Sequence, residues 1–152
     1  MAATGRKRRL HALACTVPLF LTSFVWADRP SDVRARVNQV ASALASGSAS
    51  DAMSAFDKSC PDYDKIRQYF QGLGDSFDVS NQWEIEDEQD THTETVLTID
   101  WALTIADKTT DATENREAEI TVKLKAADGK WKIVSFAPLD IFDPAIRNGA
   151  KH

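Results

Sequence analysis

Cysteine is almost absent from this chain. There are 2 in 152 residues, Cys15 and Cys60. If the N-terminal segment leaves, Cys60 stands alone, and one thiol cannot build an internal disulfide. In an oxidising compartment such a thiol is usually buried and inert. A nucleophilic cysteine needs a His or another cation beside it, and nothing local ties Cys60 to His92. Glycine (6) and proline (5) are too few for a collagen-like or low-complexity chain. Basic charge is scarce beyond residue 9. Arg6, Lys7, Arg8 and Arg9 precede every acid. Without these four, 14 basic residues face 23 acidic ones, a charge of -9. A chain that acidic lacks the basic face that nucleic acid or anionic lipid requires. No Gly-rich phosphate loop, Cys/His ligand set or Ser with a His partner is present, and no cofactor is expected.

Residues 1–27 have the pattern of a secretory leader. Arg6 to Arg9 form a positive region, and an apolar stretch runs from Leu10 to Trp26. Val25-Trp26-Ala27 then offers a cleavage site after Ala27, before the polar Asp28 and Arg29. An uncleaved anchor would need ~20 apolar residues. This stretch is shorter and holds His11, Thr16 and Pro18. A lipoprotein box at Ala12 to Cys15 and a twin-arginine signal at Arg8-Arg9 fit less well. The expectation is a secreted or periplasmic protein with no integral membrane segment after cleavage. One domain over 28–143 and a polar tail over 144–152, expected to fray, complete the division.

The first half of that domain has helical periodicity. Ser31 is placed to cap a helix from Asp32, with Val33, Val37, Val40 and Leu44 on one stripe and Gly47 at its end. Ser50 offers a second cap, with Asp51 in the first turn and Met53 and Phe56 on the apolar face. Pro61 suits the start of a third helix. Its stripe is Ile66, Tyr69, Phe70 and Leu73, and Gly72 and Gly74 are read as its stop.

From Phe77 the period is two. The inward register is Phe77, Val79, Asn81, Trp83 and Ile85, then Thr95, Leu97, Ile99, Trp101 and Leu103. Ala118, Ile120, Val122 and Leu124 follow, then Trp131, Ile133, Ser135 and Ala137. Turns fall at Asp90-Thr91, Asp107 to Asn115 and Asp128-Gly129, the last a tight hairpin signal. Short connections imply antiparallel pairing. The fold class is α+β, with N-terminal amphipathic helices covering a curved four-stranded sheet.

The order, the length and two local patterns carry a resemblance. Gly129 to Phe136 with Pro138 to Phe142 closes the chain, and Ala55 to Asp57 precedes a helix at Tyr63 to Arg67. Over most of residues 30–143 the chain resembles the nuclear transport factor 2-like (SnoaL-like) superfamily, and within it small secreted bacterial members. The resemblance implies a cone with a pocket between sheet and helices. It implies no single function, because that fold hosts isomerases, dehydratases, ligand carriers and interaction modules.

Enzymes of that superfamily place a carboxylate, a His or a Tyr pair inside the cone. The central inward register here has no carboxylate, His or Lys. No catalytic residue carries over from the ketosteroid isomerase or scytalone dehydratase patterns, and a general base must reach its substrate. Asp100 is the sharpest acid–base candidate, on the opposite face. An aspartate in solvent or at a dimer rim, paired with Lys123 or Lys132, is the preferred reading. Tyr69, Asn81, Trp83, Trp101, Trp131 and Ser135 are pocket candidates for a small apolar ligand. The tryptophans serve equally as core, and Asn81 and Ser135 equally as backbone hydrogen-bonders near a bulge. The acidic run from Glu84 to Asp90 lacks hand-type calcium spacing and is read as a charge-guarded edge. A further expectation is an accessory domain whose sheet face, through Val96, Thr98, Ala102, Val134 and Phe136, pairs in a homodimer or docks on an envelope complex. The function expected is a non-catalytic ligand-binding or protein-interaction module. A small isomerase, dehydratase or hydrolase acting on an apolar substrate is the alternative.

Overall fold

The structure, a computed structural model, describes residues 29–146. The expected leader and its cleavage site lie outside the described residues, as do residues 147–152 of the expected tail. Among the described residues no helix is long and apolar enough to cross a membrane.

Three helices come first: α1 (Arg29–Ala45), α2 (Ala49–Met53) and α3 (Tyr63–Ser76). Val33, Val37, Val40 and Leu44 are all buried, as the stripe of α1 predicts. Its start differs. The helix begins before Ser31, which therefore sits inside the first turn. Ser48, not Ser50, caps α2, accepting from the Asp51 N–H at 3.4 Å. Pro61 lies in the turn before α3, where Tyr63 N–H reaches the Cys60 carbonyl at 3.1 Å.

Gly72 and Gly74 do not stop α3, which runs past both. They are contact positions. A Cβ on Gly74 would lie 2.8 Å from the Gly47 carbonyl oxygen, and one on Gly72 would lie 2.8 Å from Pro144 Cγ. Glycine here lets backbone and tail approach the helix, at a cost of about 1 kcal/mol in helix propensity for each residue.

The sheet follows: β1 (Phe77–Asp90), β2 (Glu94–Asp107), β3 (Thr113–Ala127) and β4 (Lys130–Ala137), antiparallel throughout in the order β1-β2-β3-β4. Asp128 and Gly129, at φ 52° and 74°, make the two-residue turn between β3 and β4. The exposed edge of β4 is covered by the segment before α3. Asp57 N–H donates to the Ile133 carbonyl at 2.8 Å, and Ile133 N–H to the Ala55 carbonyl at 2.9 Å.

The register inferred from alternation holds on β1, β2 and β3 and breaks on β4. Lys123 pairs with Ser135 while Leu124 pairs with Ile133, so Val134 is an extra residue. One inserted residue exchanges the faces beyond it. Ser135 therefore shares the outer face with Lys123, and Phe136 turns inward beside Val122, 4% exposed. This corrects two expectations: Ser135 is not on the inward register, and Phe136 belongs to the core rather than to a dimer surface.

Candidate functional site

The interior is closed by aromatic rings. Trp101 of β2 is fully buried, with Phe136 at 6.0 Å and Phe142 at 5.6 Å between ring centroids. Phe70 of α3 approaches Phe142 at 5.6 Å, and Phe56 reaches Phe136 at 5.5 Å. The Trp101 indole N–H donates to Asn81 Oδ1 at 3.0 Å, and the Asn81 amide donates to the Ala41 carbonyl at 2.8 Å. Asn81 thus ties β1 to both the central tryptophan and α1.

The pocket candidates are dispersed. Trp83 pairs directly with Trp101. It is half-buried and borders a shallow depression formed with Asn38, Ala41, Ser42, Ala45 and Asn81. Trp131 is buried but stands opposite Ala126, while Trp101 stands opposite Ala118. That places the two roughly 26 Å apart along β3. Tyr69 lies on the tail side of α3, with Lys65 Nζ 5.4 Å from its ring centroid. Desolvation pushes the Tyr69 phenol up, and the hydrogen-bonded Asp143 carboxylate adds to the rise.

Asp100 is exposed on the outer face, as alternation predicts. Its expected lysine partners are not its neighbours. Directly opposite it stand Glu84 on β1 and Glu119 on β3, so three carboxylates form one row across three strands. Like charges in directly opposed positions are destabilising. Lys123 and Lys125 instead converge on Glu94, at 3.4 and 3.3 Å. Burial raises the Glu94 carboxyl, and the two lysines more than reverse this, holding it below the usual range. Lys132 donates to the Ser54 carbonyl. Among the described residues no salt bridge reaches Glu84, Asp100, Glu117 or Glu119. Beside the row lies a depression of about 220 Å³ lined by Gln82, Trp83, Glu84, Asp100, Ala102 and Glu117. No group of three or more metal-ligating side chains is present among the described residues.

One site residue escapes the pattern reading. Arg116, on the inward register of β3 opposite Leu103, is 3% exposed. Its Nε donates to Glu114 Oε1 at 2.8 Å. Its Nη1 donates to the carbonyls of Ile141 at 2.9 Å and Asp143 at 2.7 Å, and Nη2 to that of Ile146. Extending the β3 alternation one step before Ala118 reaches Arg116, so the signal was available. Residues 144–146, expected to fray, are held by this guanidinium and by Pro144 against Gly72.

Three helices on a four-stranded antiparallel sheet, curved around an aromatic core, define the cone fold of the nuclear transport factor 2-like superfamily. Solved structures of this fold include a conserved protein from Planctomyces limnophilus. It aligns at TM-score 0.66 and 8% identity, covering 72% of this chain and 93% of its own. A ketosteroid isomerase-like protein from Erwinia carotovora atroseptica aligns at 0.60 and 11%, covering 73% and 95%. An NTF-2 like protein of unknown function from Shewanella oneidensis aligns at 0.56 and 10%, covering 70% and 95%. At these identities the likeness is one of fold alone. Residues 35–141 match the family of the anti-sigma-I factor RsgI9 C-terminal domain, and the chain belongs to that family. No curated protein sequence matches it.

Proposed function

We propose that this chain is an exported, non-catalytic recognition domain, and that a basic polypeptide segment docks on its outer sheet face. The observation that carries this reading is the row Glu84–Asp100–Glu119, which has no ion-pair partner among the described residues and costs stability where it stands. The depression beside the row, lined by Gln82, Glu84, Asp100, Ala102 and Glu117, offers a guanidinium or ammonium group several carboxylates to pair with. Charge also favours a basic partner over a second copy, whose own carboxylate row would have to face this one. The family is named for a domain of an anti-sigma factor, a regulator, which suits recognition better than turnover.

The interior supports the non-catalytic half. Asp100 points away from it, Tyr69 is engaged with Asp143, and the inward Arg116 is occupied by Glu114 and three carbonyls.

The docking surface is tested by titrating isotope-labelled protein with N-acetyl-arginine amide, using N-acetyl-glutamine amide as control. Shifts at Glu84, Ala102 and Glu117 with the first compound only are expected. Equal shifts with both, or none, would remove the reading. Export is tested by N-terminal sequencing of the chain from its native cells, where Asp28 should be the first residue.

A further inference from the structure

We infer that the basic segment docks by strand addition, lying as a fifth strand along the open edge of β1. The inference rests on the outer-face reading for the partner's charge and adds how the partner is held.

The two edges of the sheet differ. β4 is bracketed at Ile133 by the backbone of Ala55 and Asp57. β1 has no such cover. Phe77 N–H closes α3 on the Leu73 carbonyl. From Asp78 to Asp90, among the described residues, no backbone hydrogen bond joins β1 to anything but β2. In an antiparallel pair every second residue of an edge strand turns its N–H and C=O away from its partner. Among the described residues, β1 therefore keeps a row of backbone donors and acceptors open along its length. α1 is tied to β1 by a side chain, Asn81 on the Ala41 carbonyl, and takes none of that row.

Two features select the part of the edge that is used. The register with β2 is unbroken from Phe77 to Ile85 and shifts at Glu86. A bulge of this kind disrupts regular pairing on the open side as well. The seat is therefore Asp78–Ile85. Along it the inward side chains of Trp83 and Ile85 are only half-buried, while Trp101 and Ile99 opposite them on β2 are fully buried. An added strand covers these flanks. Beside Trp83, a depression of about 170 Å³ against Ala41, Ser42 and Ala45 of α1 takes one of its inward side chains.

Charge selects the occupant. β1 carries Asp78, Glu84, Glu86, Asp87, Glu88 and Asp90 and no basic residue. A second copy pairing edge to edge would set acids against acids, which is destabilising. A basic strand does the reverse. Its residue opposite Glu84 faces outward and extends the row Glu84–Asp100–Glu119 by one place, so a Lys or Arg there pairs with Glu84. The residues on either side of it face inward beside Trp83 and Ile85 and are apolar. The partner is an extended segment alternating apolar and basic residues, held by main-chain bonds and selected by its side chains.

The test uses the peptide Lys-Val-Arg-Val-Arg-Val-Thr, acetylated and amidated at its ends, titrated into the folded protein. It should bind saturably and slow hydrogen exchange at least tenfold at alternate amides between Asp78 and Ile85. Methylating the backbone nitrogens of its odd-numbered residues, or separately of its even-numbered ones, leaves every side chain in place. One set should weaken binding at least tenfold and the other should not, because only one side of an added strand meets β1. Glu84→Gln should weaken the parent peptide about threefold, as loss of one cross-strand ion pair does. Equal binding by both methylated peptides, or unchanged exchange along β1, would overturn strand addition and leave the outer-face charge reading to its own titration with N-acetyl-arginine amide. A protein already dimeric in sedimentation, with these β1 amides protected before peptide is added, would give the edge to a second copy and overturn the basic partner.

Discussion

The buried indole N–H of Trp101 finds its acceptor in Asn81, and the same amide closes a second bond to α1 at Ala41. Asn81→Ala removes both at once, leaving the buried indole donor without its acceptor and β1 without its side-chain tie to α1. The expected cost is about 2 kcal/mol, read from urea denaturation. Adding Trp101→Phe should make the two losses less than additive, because the second change removes the orphaned donor.

Asp100→Asn should stabilise the fold. It breaks a row of three directly opposed carboxylates, worth about 0.5 kcal/mol for a cross-strand pair. The gain should show as a higher urea midpoint at low salt. It should shrink in 1 M salt, where the screening length falls to about 3 Å.

Phe136 tests the register of β4. A face-exposed Phe136 replaced by Glu would leave a folded protein with altered association. The buried Phe136 of this structure, packed against Phe56, Trp101 and Phe142, should instead give a chain that fails to fold. Phe136→Ala should cost roughly 3–5 kcal/mol, measured by denaturation. Association of the fully folded protein should be unchanged by any substitution here that leaves it folded.

Cys60 is buried, and burial pushes its thiol up to about 11, with Asp62 and Asp57 adding to the rise. The folded state therefore holds its proton more tightly than the unfolded state does. This contribution is complete below about pH 9 and is lost as pH rises through about 11. Stability should decline across that window in the parent protein and decline less in Cys60→Ala. At pH 8 a disulfide-exchange reagent should label Cys60 slowly in the folded protein and rapidly in urea.

Much of the fold was legible because burial imposes a period. Val33, Val37, Val40 and Leu44 could be read as one helix face, and Leu97 to Leu103 as one sheet face, since each period can serve only one backbone geometry. Asp128-Gly129 was legible because both residues must adopt positive φ in that turn. Asp100 was placed on the outer face by the same alternation. Its neighbours were not, because strand pairing sets them and pairing is non-local.

The residues themselves determined the α+β class, the order of elements, the acidic character of the outer face and the scarcity of titratable groups on the inward register. These follow from composition and local periodicity, which the chain carries at every position. Tertiary structure alone decided which glycines are contacts rather than stops, because Gly47 and Pro144 meet α3 only after folding. It decided that Val134 is the extra residue which exchanges Ser135 and Phe136 between faces. It also brought Arg116 to the carbonyls of a tail that begins more than twenty residues later. A buried guanidinium is tolerated only where acceptors converge on it, and that convergence exists nowhere in the linear chain.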